Sequence, residues 1–314
     1  MTHVPLLDLS ATPAAALARQ VDAALRDCGF LALVGHGVPH ALRQDAFDAS
    51  RRFFALPDAV KARWHVDRWP LQRGFDPIGW QALDPSQPPD VKESFYLGVE
   101  AIGPNQWPDE ALVPGFRPAL QAWSAALETL ARRMMGVFAE ALGLPPGHFE
   151  PCMRRPTCTT RLLHYPPQPE AARPGQIGCG AHTDWGALTL LAQDDAGGLQ
   201  VQLADGSWLD VEPLEGAFVV NVGDMMQRWT NDRWRSTVHR VINRRSGRDR
   251  YSMAYFFDLD ADAVVEPLPT CVSAAEPPRY APLTAGAHLA EMYRRTTVRA
   301  PSGSATQISL ATLS

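Results

Sequence analysis

The sequence predicts a mainly β fold with flanking helices, built around a double-stranded β-helix, or jelly-roll, core. Three observations predict it. Helical spacing dominates the first half, the period shortens to β-type runs from Thr159 onward, and Gly, Asp, Asn and Pro turn chemistry separates those runs at even intervals. Even spacing suggests an antiparallel sandwich or barrel. A jelly roll fits best, because it closes two sheets around one cavity and accepts helices outside. No internal repeat or low-complexity linker interrupts the chain, so the 314 residues are expected to form a single domain. Within it, 1–155 reads as a helix-rich part, 156–265 as the jelly-roll core and 266–314 as a C-terminal helix and tail.

The elements follow in order. Thr12 and Pro13 make an N-cap and first-turn pair, and Leu17, Val21, Ala24 and Cys28 then give one apolar helical face. Phe30 to Val34 is too short for a helix and suits a buried strand, stopping at Gly35-His36-Gly37. Helical spacing returns in Leu42, Ala46, Phe47, Ser50 and Phe54, ended by Pro57, and in the long stretch Leu120, Trp123, Leu127, Leu130, Met134, Val137 and Ala141. These apolar stripes are core packing. Strands are expected at Arg161–Tyr165, Ala187–Ala192, Leu199–Leu203, Trp208–Val211, Phe218–Val222, Val238–Asn243 and Tyr251–Phe257, with a last amphipathic helix over Leu283–Arg295.

Composition excludes several classes. Hydrophobic residues make up 46% and charged residues 20%, and no apolar run approaches the ~20 residues of a membrane span. A net charge of −5 gives no general attraction to phosphate backbones. The densest basic run, Arg244, Arg245, Arg248 and Arg250, is broken by Gly247 and Asp249, so no nucleic-acid partner is expected. Five scattered cysteines form no CxxC pair, and Met1 to Ser10 lacks a basic stretch followed by an apolar core. A reduced, cytoplasmic protein is the expectation. Proline, at 28 residues about twice the ~5% norm, clusters at 85–89, 166–174 and 277–282 as rigid connections.

The most informative stretch is His182-Thr183-Asp184. Residues two apart in a strand point to one face, so imidazole and carboxylate converge from one side of a sheet. His239, in a later expected strand, returns as a third ligand. Two neutral imidazoles and one carboxylate leave three octahedral positions open, the facial triad of non-haem iron(II) oxygenases. A zinc hydrolase also uses two histidines and a carboxylate, so spacing alone leaves both metals open.

A second element sits shortly after His239. Arg250 and Ser252 also differ by two, so a guanidinium fork and a hydroxyl project into the same cavity as a carboxylate receptor. The apolar continuation Met253-Ala254-Tyr255-Phe256-Phe257 marks a buried strand, where an unpaired cation would be costly.

On these residues the chain resembles the isopenicillin N synthase-like branch of the iron(II) and 2-oxoglutarate-dependent oxygenases. The runs HTDWGALTLLAQDDAGGLQV, FVVNVGDMMQRWTNDRWRSTVHRVIN and RYSMAYFF carry the resemblance. So do Val4–Leu9, Asp27–Phe30, Gly35–Pro39, Phe53–Pro57 and Lys92–Phe95, so that it spans nearly the whole chain. The resemblance implies that His182, Asp184 and His239 hold iron(II), that Arg250 and Ser252 hold the distal carboxylate of 2-oxoglutarate, and that Tyr165 bonds the same co-substrate. Leu163 and His164 depart from the asparagine and tyrosine usual in plant members. The implied reaction consumes dioxygen, decarboxylates 2-oxoglutarate to succinate and CO2, and oxidises a small-molecule metabolite by hydroxylation, desaturation or ring closure.

For the substrate, the Gly- and aromatic-rich segment Arg73–Trp80 reads as a flexible cover, with Phe75 and Trp80 facing the substrate. Met225, Met226 and Arg228 follow a Gly223-Asp224 turn and could line the mouth, with Trp185 beside the Asp ligand as a further contact. Asn221 and Asp224 are assigned to the turn itself. Two alternatives stand. Isopenicillin N synthase and aminocyclopropane-carboxylate oxidase use the same triad without 2-oxoglutarate, their Arg-x-Ser gripping the substrate's own carboxylate. A non-enzymatic small-molecule binder would not need all of His182, Asp184, His239 and Arg250.

Overall fold

The computed structural model describes residues 3–69, 71–84, 86–167, 174–242 and 247–296. Arg244 and Arg245 of the basic run, Pro85, most of the 166–174 proline cluster, Asn243 and the tail beyond 296 lie outside the described residues.

Helix α1 (Ala14–Asp27) buries Leu17, Val21, Ala24 and Leu25 along one face, as the spacing predicts. Its N-cap is Pro13 and not Thr12, and no side chain caps it. Helix α2 (His40–Phe54) ends before Pro57 and a single turn, α3 (Asp58–Lys61), follows. The long α4 (Phe116–Ala141) packs against α1 and α2. Helices α5 (Asp224–Trp229) and α6 (Ala285–Thr296) complete the set. Among the described residues no helix is long and apolar enough to cross a membrane.

The strands are β1 (Leu6–Asp8), β2 (Phe30–Val34), β3 (Gly74–Asp76), β4 (Glu93–Gly98), β5 (Thr159–Tyr165), β6 (Cys179–His182), β7 (Leu188–Gln193), β8 (Leu199–Gln202), β9 (Trp208–Asp210), β10 (Phe218–Val222), β11 (His239–Val241) and β12 (Arg250–Phe257). Eight form one sheet in the order β1-β2-β10-β7-β12-β5-β4-β3, and four form a second in the order β6-β11-β8-β9. Half of the large sheet, β1 to β4, comes from before residue 156. One face of that sheet carries Leu162, Met253, Tyr255 and Phe257 into the core it shares with α2 and α4. The other carries Leu163, Tyr165 and Ala254 into a smaller core with Val201 and Val241 of the second sheet.

Pairing register decides what this inner face holds, because partners directly opposite in an antiparallel pair share a face. One row runs Gln193, Ser252, Leu163, Ser94, Asp76 across β7, β12, β5, β4 and β3. The next runs Leu191, Ala254, Arg161, Tyr96, Gly74. A third holds Phe256, Thr189 and Asn221. The polar residues of these rows, Gln193, Ser252, Ser94, Asp76, Arg161, Thr189 and Asn221, are buried and do not form a solvated face.

Candidate metal centre and active site

Strand β6 ends at His182, and Asp184 follows two residues later, before the chain bends at Gly186 and Ala187. Here α5 begins so close to the bend that a Cβ at Gly223 would meet Asp184 O at 2.8 Å and crowd Gly186 O still more closely. His239 arrives as expected, directly opposite His182 in the β11–β6 pair. The ligating atoms of His182, Asp184 and His239 all lie within 4.8 Å of one another, and His239 Nε2 is 3.7 Å from Asp184 Oδ1.

Each ligand is aimed by a second bond. His182 Nδ1 lies 2.8 Å from Gly180 O and His239 Nδ1 lies 3.0 Å from Thr237 O. A carbonyl can only accept, so Nδ1 carries the proton in both rings and Nε2 keeps its lone pair for a metal. Asp184 Oδ2 accepts from Thr189 Oγ1 and Asn221 Nδ2, both at 2.6 Å, which leaves Oδ1 for coordination. Burial lowers the pKa of His182; burial and the adjacent His182 ring lower that of His239 to about 4. Burial opposes ionisation of Asp184, but the two imidazoles and the bonds from Thr189 and Asn221 outweigh it and hold it below its ordinary value. Two neutral imidazoles and an ionised carboxylate fit iron(II) as a donor set.

Asp224 ties the ligand segments together. Its N–H donates to Asp184 O at 2.9 Å, Ser236 Oγ donates to Oδ1 at 2.6 Å, and Thr183 Oγ1 donates to Oδ2 at 3.4 Å. Both residues assigned to the turn, Asn221 and Asp224, therefore serve the ligands.

Farther along the inner face, Arg250 and Ser252 are each only 1% exposed. Arg250 Nη1 donates to Ser252 Oγ at 3.1 Å and Nη2 to Gln193 Oε1 at 3.2 Å, and the guanidinium lies 4.8 Å from the Tyr165 ring centroid. Arg250 Nε is buried without a partner. All of these neighbours are neutral; among the described residues no carboxylate pairs with it. A buried arginine held this way is a receptor for an anion from outside the chain.

Comparison with known proteins decides what this geometry belongs to. Residues 156–259 match the 2OG-Fe(II) oxygenase superfamily, and residues 4–110 match the non-haem dioxygenase in morphine synthesis N-terminal family. The chain is 40% identical over 307 residues to the 2-oxoglutarate-Fe(II) type oxidoreductase hxnY of Emericella nidulans, covering 90% of this chain and 87% of that one. The chain belongs to the 2OG-Fe(II) oxygenases. Homoarginine-6-hydroxylase 2-ODD-C23 of Glycine max is 35% identical over 300 residues, with 86% of this oxygenase and 89% of that protein covered. A full-length Neurospora crassa protein solved in complex with alpha-KG superimposes with a TM-score of 0.86 at 30% identity over 93% of this chain and 96% of that one. The same Neurospora crassa protein has also been solved with alpha-KG and thymine, at a TM-score of 0.85 and 30% identity over the same shares of the two chains. Members of the family use iron(II), 2-oxoglutarate and dioxygen, and the jelly-roll expectation holds.

The substrate candidates fare differently in this oxygenase. Phe75 is not on a flexible cover: it lies in β3, pairs with Phe95 and points to the helix-side core, 5.9 Å from the Phe53 ring. Met225 and Met226 are fully buried in that same core. Arg228 lies over Tyr280 at 4.6 Å and donates to Ala281 O, which ties it to the segment before α6. Trp80 is 41% exposed and meets His65 edge-on, and Trp185 is half-buried. What the inner face offers instead is Arg161 and Tyr96, which the sequence pattern did not single out, and Asp76, which belongs to the Arg73–Trp80 segment but is not one of the two residues expected to face the substrate.

Proposed function

We propose that this oxygenase binds iron(II) through His182, Asp184 and His239, anchors the distal carboxylate of 2-oxoglutarate on Arg250 and Ser252, and oxidises a small-molecule metabolite, in the simplest case by hydroxylation. The observation that carries this reading is Arg250, 1% exposed and, among the described residues, bonded only to neutral Ser252 and Gln193 on the face that also supports the triad. Gln193 and Ser252 hold the guanidinium fork in register, and the Tyr165 ring packs against it, so a carboxylate meets an oriented donor pair. Leu163, Ala254 and Val241 keep the surroundings of these groups apolar, which strengthens each charged contact. Bound iron supplies dioxygen activation, coupled to conversion of 2-oxoglutarate into succinate and CO2.

The whole chain acts as one unit in this reading, since β1 to β4 complete the sheet that bears Arg250. A small substrate agrees with the thymine complex of the Neurospora crassa protein. The net charge of −5 argues against a nucleic-acid partner, and the five free cysteines suit a cytoplasmic setting. The test is anaerobic addition of 2-oxoglutarate to the iron(II) protein. A visible charge-transfer band should appear in wild type and fail to appear in His239→Ala. Full turnover with zinc, with no 2-oxoglutarate consumed, would overturn the proposal.

A further inference from the structure

The inner face carries a second buried cation. Arg161, 7% exposed, projects from β5 one strand over and one row along from Ser252, about 8 Å away by sheet spacing. Its Nη2 donates to Gln81 Oε1 at 2.8 Å and to Ser94 Oγ at 2.9 Å, and its guanidinium lies 4.6 Å from the Tyr96 ring centroid. Asp76, 4% exposed on β3, approaches Nη2 to 3.6 Å through Oδ2, which also accepts from Tyr96 at 3.3 Å.

Two atoms of this cluster have no partner. Arg161 Nε, a donor, and Asp76 Oδ1, an acceptor, are both buried and unbonded. Folded proteins rarely leave such groups unmet, and each one calls for an explanation. The location supplies one. Arg161 interacts electrostatically with Cys179 and Tyr165, and Cys179 Sγ is 3.9 Å from His182 Nδ1. Arg161 therefore lies between the metal ligands and the edge of the sheet, on the opposite side of β12 from Gln193.

We propose that Arg161 and Asp76 orient the substrate, and that the substrate presents a neutral planar group with adjoining hydrogen-bond acceptor and donor, such as the edge of a lactam or imide. This inference rests on the oxygenase reading of the same inner face. Charge chooses the class. A carboxylate would bond Arg161 but meet the Asp76 carboxylate beside it, and a cation would bond Asp76 but meet Arg161. A neutral group that carries both an acceptor and a donor meets neither repulsion and can bond both residues, which is how a polar site rejects analogues lacking either group.

The experiment uses three probes of similar size on the full chain: 2-pyridone for the lactam, benzoate for the anion and benzylamine for the cation. Binding is read by calorimetry on the metal-free protein in excess 2-oxoglutarate, which competes with benzoate for Arg250, and by the shift of the charge-transfer band on the anaerobic iron(II) and 2-oxoglutarate complex. Wild type should bind 2-pyridone about 10-fold or more tighter than benzoate or benzylamine. Arg161→Met and Asp76→Asn should each weaken 2-pyridone by about 10- to 100-fold. Asp76→Asn should also tighten benzoate, because the repelling charge is gone and Arg161 remains. Melting curves show whether each variant folds; Asp76→Asn is nearly isosteric and decides the matter if Arg161→Met does not fold. Preference of wild type for benzoate, failure of all three probes, or unchanged benzoate affinity in Asp76→Asn would each overturn the proposal. Slow, iron-dependent succinate formation without any probe tests the oxygenase reading separately, so the two can fail independently.

Discussion

The two ends of the inner face handle polar groups in opposite ways. Around the triad each ligand atom not aimed at the metal is bonded within the protein: His182 to Gly180 O, His239 to Thr237 O, Asp184 Oδ2 to Thr189 and Asn221. Around Arg161 and Asp76 a donor and an acceptor are left open. Arg250 is intermediate, with two nitrogens held by neutral partners and Nε open. Groups that must present one fixed geometry to a metal are fully bonded from behind. Groups that must receive a molecule keep unmet valences in front.

The largest expected effect comes from breaking the bonded end. His182→Ala or His239→Ala should abolish iron binding and turnover while the melting temperature stays near that of metal-free wild type, because sheets and helices and not the ligands hold the fold. Iron content and thermal melts check both halves. A variant that still binds one iron per chain would show that the triad is not the metal site.

Arg250→Leu comes next. A charge-assisted hydrogen bond contributes about 1.5–3 kcal/mol, and loss of the fork should raise the 2-oxoglutarate requirement about 100-fold while iron affinity stays near wild type. Lysine should restore only part of it, having the charge without the planar fork. Titration of turnover against 2-oxoglutarate for the three proteins measures this.

A subtler break removes the support behind Asp184. Asn221→Leu or Thr189→Val leaves all three ligands in place but removes one of the two bonds to Oδ2, and iron affinity should fall about 10- to 100-fold. Competition with a chelator reads the change. Equal affinity in the variants and wild type would mean that the bonds at 2.6 Å do not aim the carboxylate.

The smallest effect on the site itself comes from an open carboxylate behind the metal end, which acts on stability instead. Asp258 is buried, its Oδ1 has no partner, and burial with the nearby Asp184 charge pushes its pKa up from 3.8 to about 7. The folded state then holds a proton that the unfolded chain releases, so stability should fall as pH rises from about 4 to about 7. Asp258→Asn should flatten that slope and make the metal-free protein more stable at pH 8 by up to a few kcal/mol. Denaturant titrations of both proteins at pH 5 and pH 8 test it.

Much of this was legible in the sequence for a simple reason: short motifs place their residues locally. Phe30–Val34 and Phe218–Val222 are strands with the boundaries that their composition predicts, His182 lies with Asp184 and His239, and Arg250 bonds Ser252. Distant pairing was legible for His239, which returns opposite His182, but not for the outer strands of the large sheet. Phe75 reads as a cover residue until β3 is seen to pair with β4, which turns the ring toward Phe53. Alternation of polar and apolar residues normally marks one wet face and one dry face, so Arg161 and Ser94 look solvent-directed. Here both faces of the strand are covered, and Arg161 and Ser94 are buried. Gln193 and Asn221 were hidden for the same reason, since only the β7–β12 and β10–β7 registers bring them beside Arg250 and Asp184.

The most direct test of the central claim is the succinate released by the wild-type protein with iron(II), 2-oxoglutarate and dioxygen, set against the same assay with zinc and with His239→Ala. Succinate should form only with iron and an intact triad, slowly without substrate and in a one-to-one ratio with product once a substrate is found. Product formed in the absence of 2-oxoglutarate, or succinate formed equally with zinc, would contradict the account.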